Sequence, residues 1–239
     1  MREFVITIEY EPGVDAVADV FIEHPSALSK SVACSMAGDA MWRLDRITGP
    51  KSAIERLEYL LLDSERCNEC PDRPACHSHR EYELLSGDAT SSTIYTYRSG
   101  IDKCRTLPSL AREYLGDGLF YETERREERY EWRILMRNDA NVGRLYDAMQ
   151  AELCDGLSVS LSHLSEPTHW TDEAITVAKL PYEQREALEL AVEHGYYQTP
   201  RETSLSDLAI AVGIPQSTLQ YRLQRAESWL ARHFVAECL

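Results

Sequence analysis

Lysine is almost missing from this chain. Of 25 basic residues only Lys30, Lys51, Lys103 and Lys179 are lysines, and the rest are arginines. Against them stand 40 carboxylates, giving a net charge of −15. A surface poor in lysine and rich in carboxylate stays hydrated and dispersed in strong salt, so the composition points to a salt-rich cytosol. Long apolar runs are missing too. No stretch approaches the ~18–20 residues that a membrane helix needs. The opening MREFVITIEYEPG alternates like a strand and lacks the apolar core and cleavage site of a signal peptide. A cytoplasmic protein with no membrane partner is expected. P-loop, dinucleotide fingerprint, nucleophile elbow and zinc-hydrolase motif are all absent, which argues against an enzyme.

What is present suffices for two domains: 239 residues, 44 % of them hydrophobic. Residues 1–164 read as an α+β region. Phe4, Ile6, Ile8 and Tyr10 alternate on one face of a first strand, and Val17, Val20 and Phe21 recur at helical spacing. Residues 27–36 and 39–47 suit paired strands, and Ile54, Leu57 and Leu61 a helix after Pro50. A polar insert at 63–90 follows. Beyond it, 91–98 suits a strand, Leu107 to Leu115 a helix stopped by Gly116, and 118–124 with 128–136 a hairpin. Val142 to Met149 suit a helix, and Leu157, Val159 and Leu161 a last strand. Glu122/Glu124 and Glu127/Glu128 read as a solvated face of the hairpin. The order, β-α-β-β-α twice with a closing strand, suggests a ferredoxin-like, duplicated split β-α-β arrangement acting as a sensor or assembly domain. Residues 165–174 read as a linker.

Residues 175–239 are purely helical in pattern. Leu188, Ala191 and Val192 mark one helix, entered at Pro181 and ended at Gly195. Leu205, Leu208, Ala209 and Val212 mark a second, capped by Ser204 or Ser206. Gly213 supplies a tight turn. A third helix starts near Pro215 and carries Leu219, Leu223 and Ala226. Ala209, Gly213 and Leu219 are spaced as close approach, turn and core pin, the signature of a helix-turn-helix. Trp229, Leu230 and Phe234 extend the third helix past its core.

Residues 180–230 contain a QREAL start, an HGYY-x-x-PR segment, an SLSDLA-x-x-x-GI stretch and an STL-x-x-x-LQRAE helix. In these motifs the segment resembles the bacterio-opsin activator type of helix-turn-helix domain found in haloarchaeal regulators. One departure is Pro215, where the family leads one to expect a Ser or Thr cap. The resemblance implies sequence-specific control of transcription, with double-stranded DNA and the transcription machinery as partners. A homodimer is expected, because such domains present two recognition helices one DNA turn apart. Gln216, Ser217, Thr218, Gln220, Tyr221 and Arg222 are the candidate DNA-reading residues, with Arg225 and Arg201 placed for phosphate. The charge is an objection: residues 180–239 hold five arginines against eight carboxylates, so binding would depend on a local cluster. The competing expectation is a protein-interaction module whose helices bind partner proteins.

Seven cysteines in a cytosolic chain argue against a disulfide framework. Residues 67–79, CNECPDRPACHSH, crowd three of them with two histidines. Cys67, Cys70, Cys76 and His79 form a candidate tetrahedral zinc set, with His77 as the alternative fourth ligand. An iron–sulfur cluster is the other metal reading, if Cys34, Cys104 or Cys154 folds nearby. Thiol redox sensing without metal is a third.

Overall fold

The computed structural model of the chain describes residues 1–35, 39–67, 78–101, 106–167 and 180–238, with side chains as far as 232. It forms two compact units, Met1–Ala178 and Lys179–Leu239. The first unit runs β1 (Arg2–Tyr10), α1 (Ala16–Glu23), β2 (Leu28–Ser35), β3 (Ala40–Thr48), α2 (Lys51–Leu61), β4 (His79–Gly87), β5 (Ser91–Ser99), α3 (Leu107–Leu115), β6 (Phe120–Arg126), β7 (Arg129–Met136), α4 (Val142–Glu152) and β8 (Leu157–Ser165).

The strands make one antiparallel sheet in the order β4-β5-β3-β2-β6-β7-β1-β8. Its symmetry is informative. Each half has the strand order of a split β-α-β unit, except that the first strands have changed places. β1 lies between β7 and β8, where a self-contained second unit would put β5; β5 lies between β3 and β4, where β1 would be. The halves meet where β2 pairs with β6, Ala33 opposite Tyr121. The duplication anticipated from element order is therefore present in the topology, but as two interlocked units. Residues 79–87 form β4 and are not part of a polar insert, contrary to their polar composition. Its hairpin with β5 is closed by Asp88, which accepts from Thr90 N (2.8 Å) and Ser91 N (2.9 Å). Those bonds hold the Asp88 carboxyl below its ordinary pKa. Residues 168–174 of the expected linker lie outside the described residues; Ser165 is the last residue of β8.

Helices cover one face of the sheet. Asp15 caps α1 by accepting from Ala18 N at 2.8 Å, and Thr106 and Ser109 form a capping box on α3. Val17, Val20 and Phe21 of α1 pack with Ile54 and Leu57 of α2 on Ile47 and Ile94. Leu110 and Ala111 of α3 pack with Leu145 and Met149 of α4 on Phe4, Ile6, Trp132 and Ile134. Two apolar cores thus sit side by side beneath two helix pairs.

The opposite face carries a buried ionic group. Arg133 donates to Glu122 Oε2 and Glu3 Oε2, each at 2.9 Å, and Glu3 Oε1 lies 2.8 Å from His163 Nε2. Glu3 and Glu122 are almost wholly buried, at 1 % and 2 % exposure. Glu122 is therefore not on a solvated face, as the hairpin's charge pattern had suggested; its cation comes from the neighbouring strand. Removing one partner of a buried pair strands the other charge. Arg133→Met is expected to cost about 3 kcal/mol in denaturant unfolding at fixed potassium chloride. A loss below about 1 kcal/mol would mean that the group is solvated.

Candidate nucleic-acid interface

The second unit contains α5 (Tyr182–Glu193), α6 (Leu205–Val212) and α7 (Gln216–Cys238). Ala187 and Ala191, four residues apart, let α5 approach the other helices, where Leu208, Ala209, Leu219 and Leu223 complete the core. This corrects the stripe inferred for α5, because Val192 is 58 % exposed.

Both inter-helix turns close in the same way. Gly195 and Gly213 take φ of 71° and 73°, and the following residue's N–H reaches back five positions: Tyr196 to Ala191 O (2.8 Å) and Ile214 to Ala209 O (3.2 Å). Ser204 Oγ caps α6, accepting from Asp207 N at 3.2 Å. Pro215 stands just before α7, and its carbonyl accepts Leu219 N at 3.0 Å, so the absent Ser/Thr cap does not disturb the helix start. Tyr197 OH donates to Glu227 Oε1 at 2.6 Å and ties the α5–α6 loop to α7. Burial, and then this contact, push the Tyr197 pKa well above the ordinary tyrosine range.

With Leu219, Leu223 and Ala226 turned inward, the other side of α7 is exposed. Gln216, Ser217, Gln220, Tyr221 and Arg225 fall on that exposed stripe, and Gln224, which sequence reasoning passed over, joins them four residues after Gln220. Thr218 is half-buried. Arg222, one of the candidate DNA readers, is half-buried and turned toward α5, its Nη1 3.8 Å from Glu186 Oε2. Arg201 stacks over the Tyr196 ring, 4.5 Å from its centroid.

Of the expected metal ligands, Cys70, Cys76 and His77 lie outside the described residues. Cys67 Sγ accepts from Arg98 Nη2 at 3.4 Å. His79 opens β4, exposed, with Nε2 2.9 Å from Glu81 Oε1. Among the described residues no group of three or more Cys, His, Asp and Glu is gathered for a metal. Cys34 lies on the face of β2 away from the helices, and burial raises its pKa; Cys104 lies outside the described residues, and Cys154 follows α4. No described helix is long and apolar enough to cross a membrane.

A short helix, a glycine turn and a longer helix with a polar outer stripe define a helix-turn-helix DNA-binding unit. Known proteins agree: residues 180–232 match the HTH DNA binding domain family HTH_10, and residues 3–170 match the HVO_2928_N N-terminal family. The chain is similar to a dimethyl sulfoxide reductase transcriptional activator of Haloferax volcanii, 30 % identical over 191 residues that cover 77 % of this chain and 80 % of the relative. It is 45 % identical over 82 residues to a protein of the same name from Halobacterium salinarum, covering 31 % and 36 %. With the transcriptional regulator NarO of Haloferax volcanii it shares 38 % identity over 78 residues, covering 32 % and 37 %. The chain belongs to the HVO_2928_N family and, by its HTH_10 domain and these relatives, is a haloarchaeal helix-turn-helix transcription regulator.

The turn geometry is testable. A Cβ at Gly213 would meet no atom within 4 Å, so substitution there is limited by φ alone. Gly213→Ala should destabilise the helical unit by about 1 kcal/mol, and Gly213→Asn clearly less, because Asn tolerates the left-handed region. Equal losses in denaturant melts would point to packing rather than backbone conformation.

Proposed function

We propose that the protein regulates transcription by placing the α7 stripe in the DNA major groove, as a homodimer, to read a specific sequence and act on the transcription machinery. The observation that supports this reading is the exposed face itself: Gln216, Gln220 and Gln224 recur every four residues along a single helix, clear of the helical core, with Arg225 exposed next to Gln224. Gln is suited to adenine edges, and Arg to guanine edges or phosphate. Glu186 Oε2 stands 3.8 Å from Arg222 Nη1, so part of the unit's acid faces one of its own arginines. Binding would exchange this carboxylate for a phosphate and release Arg222 to the DNA.

Selection from random duplexes at fixed potassium chloride should return one motif. Gln220→Ala is expected to lose about 1–3 kcal/mol of discrimination at one position of it. Arg225→Ala should weaken all sequences alike and lower the salt slope by about one. Glu186→Gln should tighten binding. Variants indistinguishable from the parent would reject α7 as the reader and favour a protein-binding role.

The cysteine segment is proposed to hold zinc through Cys67, Cys70, Cys76 and His79, with His77 as the alternative fourth ligand, or an iron–sulfur cluster if Cys34, Cys104 or Cys154 folds nearby, and to report redox state. The donor set fits: Arg98 beside the Cys67 sulfur is the kind of neighbour that favours a thiolate, the form that binds metal. Zinc would staple the segment between α2 and β4. Protein purified without air is expected to carry zinc that falls in Cys67→Ser. Iron with visible charge-transfer bands would select the cluster, and metal-free protein would leave thiol oxidation alone.

A further inference from the structure

Between the two helix pairs, the helix-covered face of the sheet turns from apolar to polar. Ser31, Arg43, Asp45, Thr96, Arg98, Thr123 and Arg125 occupy inward positions of adjacent strands there, in register. In a chain so acidic, a cavity at this seam is lined by three guanidinium groups, Arg43, Arg98 and Arg125, and one carboxylate, Asp45, with Thr96 and Tyr130 beside them and Leu61 of α2 at its edge. Its volume is about 30 Å³. On that measure it has room for roughly two waters, or for one anion of a few heavy atoms.

The acidic groups are already committed. Asp45 accepts from Arg43 Nε (2.8 Å) and Ser31 Oγ (2.5 Å), and Arg43 also donates to Tyr130 OH at 2.7 Å. Asp15, the carboxylate facing Arg125, caps α1 and accepts from Arg66 at 2.9 Å; it remains 3.8 Å from Arg125. Arg125, 9 % exposed, is held chiefly by ring faces, its Cζ 4.3 Å from the Tyr130 centroid and 4.9 Å from that of Tyr10. Rings attract the cation but accept few hydrogen bonds. Its buried Nε finds no acceptor among the described residues. A buried donor in this state calls for a partner, an ordered water or a bound anion, and here it lies on a side chain that lines the cavity.

We propose that this seam is a binding site for a small oxygen-bearing anion, an inorganic oxyanion or a carboxylate, held by Arg125 and Arg98 with Thr96 and Tyr130 at its sides. The planar fork of arginine suits both acceptors. The site is independent of the metal reading, but shares a residue with the cysteine segment: Arg98 contacts Cys67. Occupancy and the state of that segment would therefore be coupled through one side chain.

The test titrates full-length protein with phosphate, sulfate and acetate in turn, at constant potassium and ionic strength. It follows calorimetry and melting temperature. Saturable binding at one site per chain is expected, lost in Arg125→Met and weakened at least about tenfold in Thr96→Val, which keeps every charge and tests the site if the arginine variant does not fold. Binding of phosphate or sulfate alone identifies an oxyanion site, and binding of acetate a carboxylate site. A melting temperature that rises without saturation, equally in the parent and Thr96→Val, would overturn the proposal, as would no heat of binding for any of the three.

Discussion

The first strand of each half is hydrogen-bonded into the other half, and the rest of the N-terminal unit follows from that constraint. Neither half can complete its sheet alone: β1 needs β7 and β8, and β5 needs β3 and β4. The chain must cross the β2–β6 seam to place them, and does so through α1 and α3. The helices therefore pair over separate halves and leave a polar strip between the two apolar cores. Arg43, Arg98 and Arg125 collect in that strip. The ionic group at Glu3, Arg133 and Glu122 joins the first strand of one unit to two strands of the other, and so holds the exchange on the opposite face.

The DNA-binding unit solves a different problem. Haloarchaeal surfaces are acidic, whereas DNA demands cations at the contact. The unit keeps six of its eight carboxylates on α5, α6 and the loop between them, places Glu227 and Glu237 farther along α7, and leaves that helix free of acid from Gln216 to Arg225. Net charge is thus a poor guide to what this helix can touch. The Glu186–Arg222 pair shows how one arginine can be stored against the protein's own acid rather than displayed.

Much was legible in the sequence because local chemistry dictated it. The glycines at 195 and 213, the Ser204 cap and the Ala209-Gly213-Leu219 spacing each carry their own geometric reason, and the helices lie where these residues put them. β4 was not legible. It is an edge strand, exposed along most of its length, so HREYELLSG lacks the apolar alternation that marks half-buried strands. The burial of Glu122 and the pairing of Arg222 depend on partners from other elements. The strand exchange leaves element order unchanged, so only pairing reveals it. Val192 was assigned inward because it is apolar, but the two alanines allow the closest approach and so define the buried side of α5.

The central claim is that the α7 stripe takes this protein to specific DNA. Chromatin immunoprecipitation of the full chain, beside a Gln220→Ala, Arg225→Ala double variant expressed at the same level in the cells it comes from, tests this most directly. The account predicts discrete enriched sites sharing one motif with the parent protein, and their loss with the variant. Identical enrichment for both, or no enrichment of DNA by the parent, would contradict it.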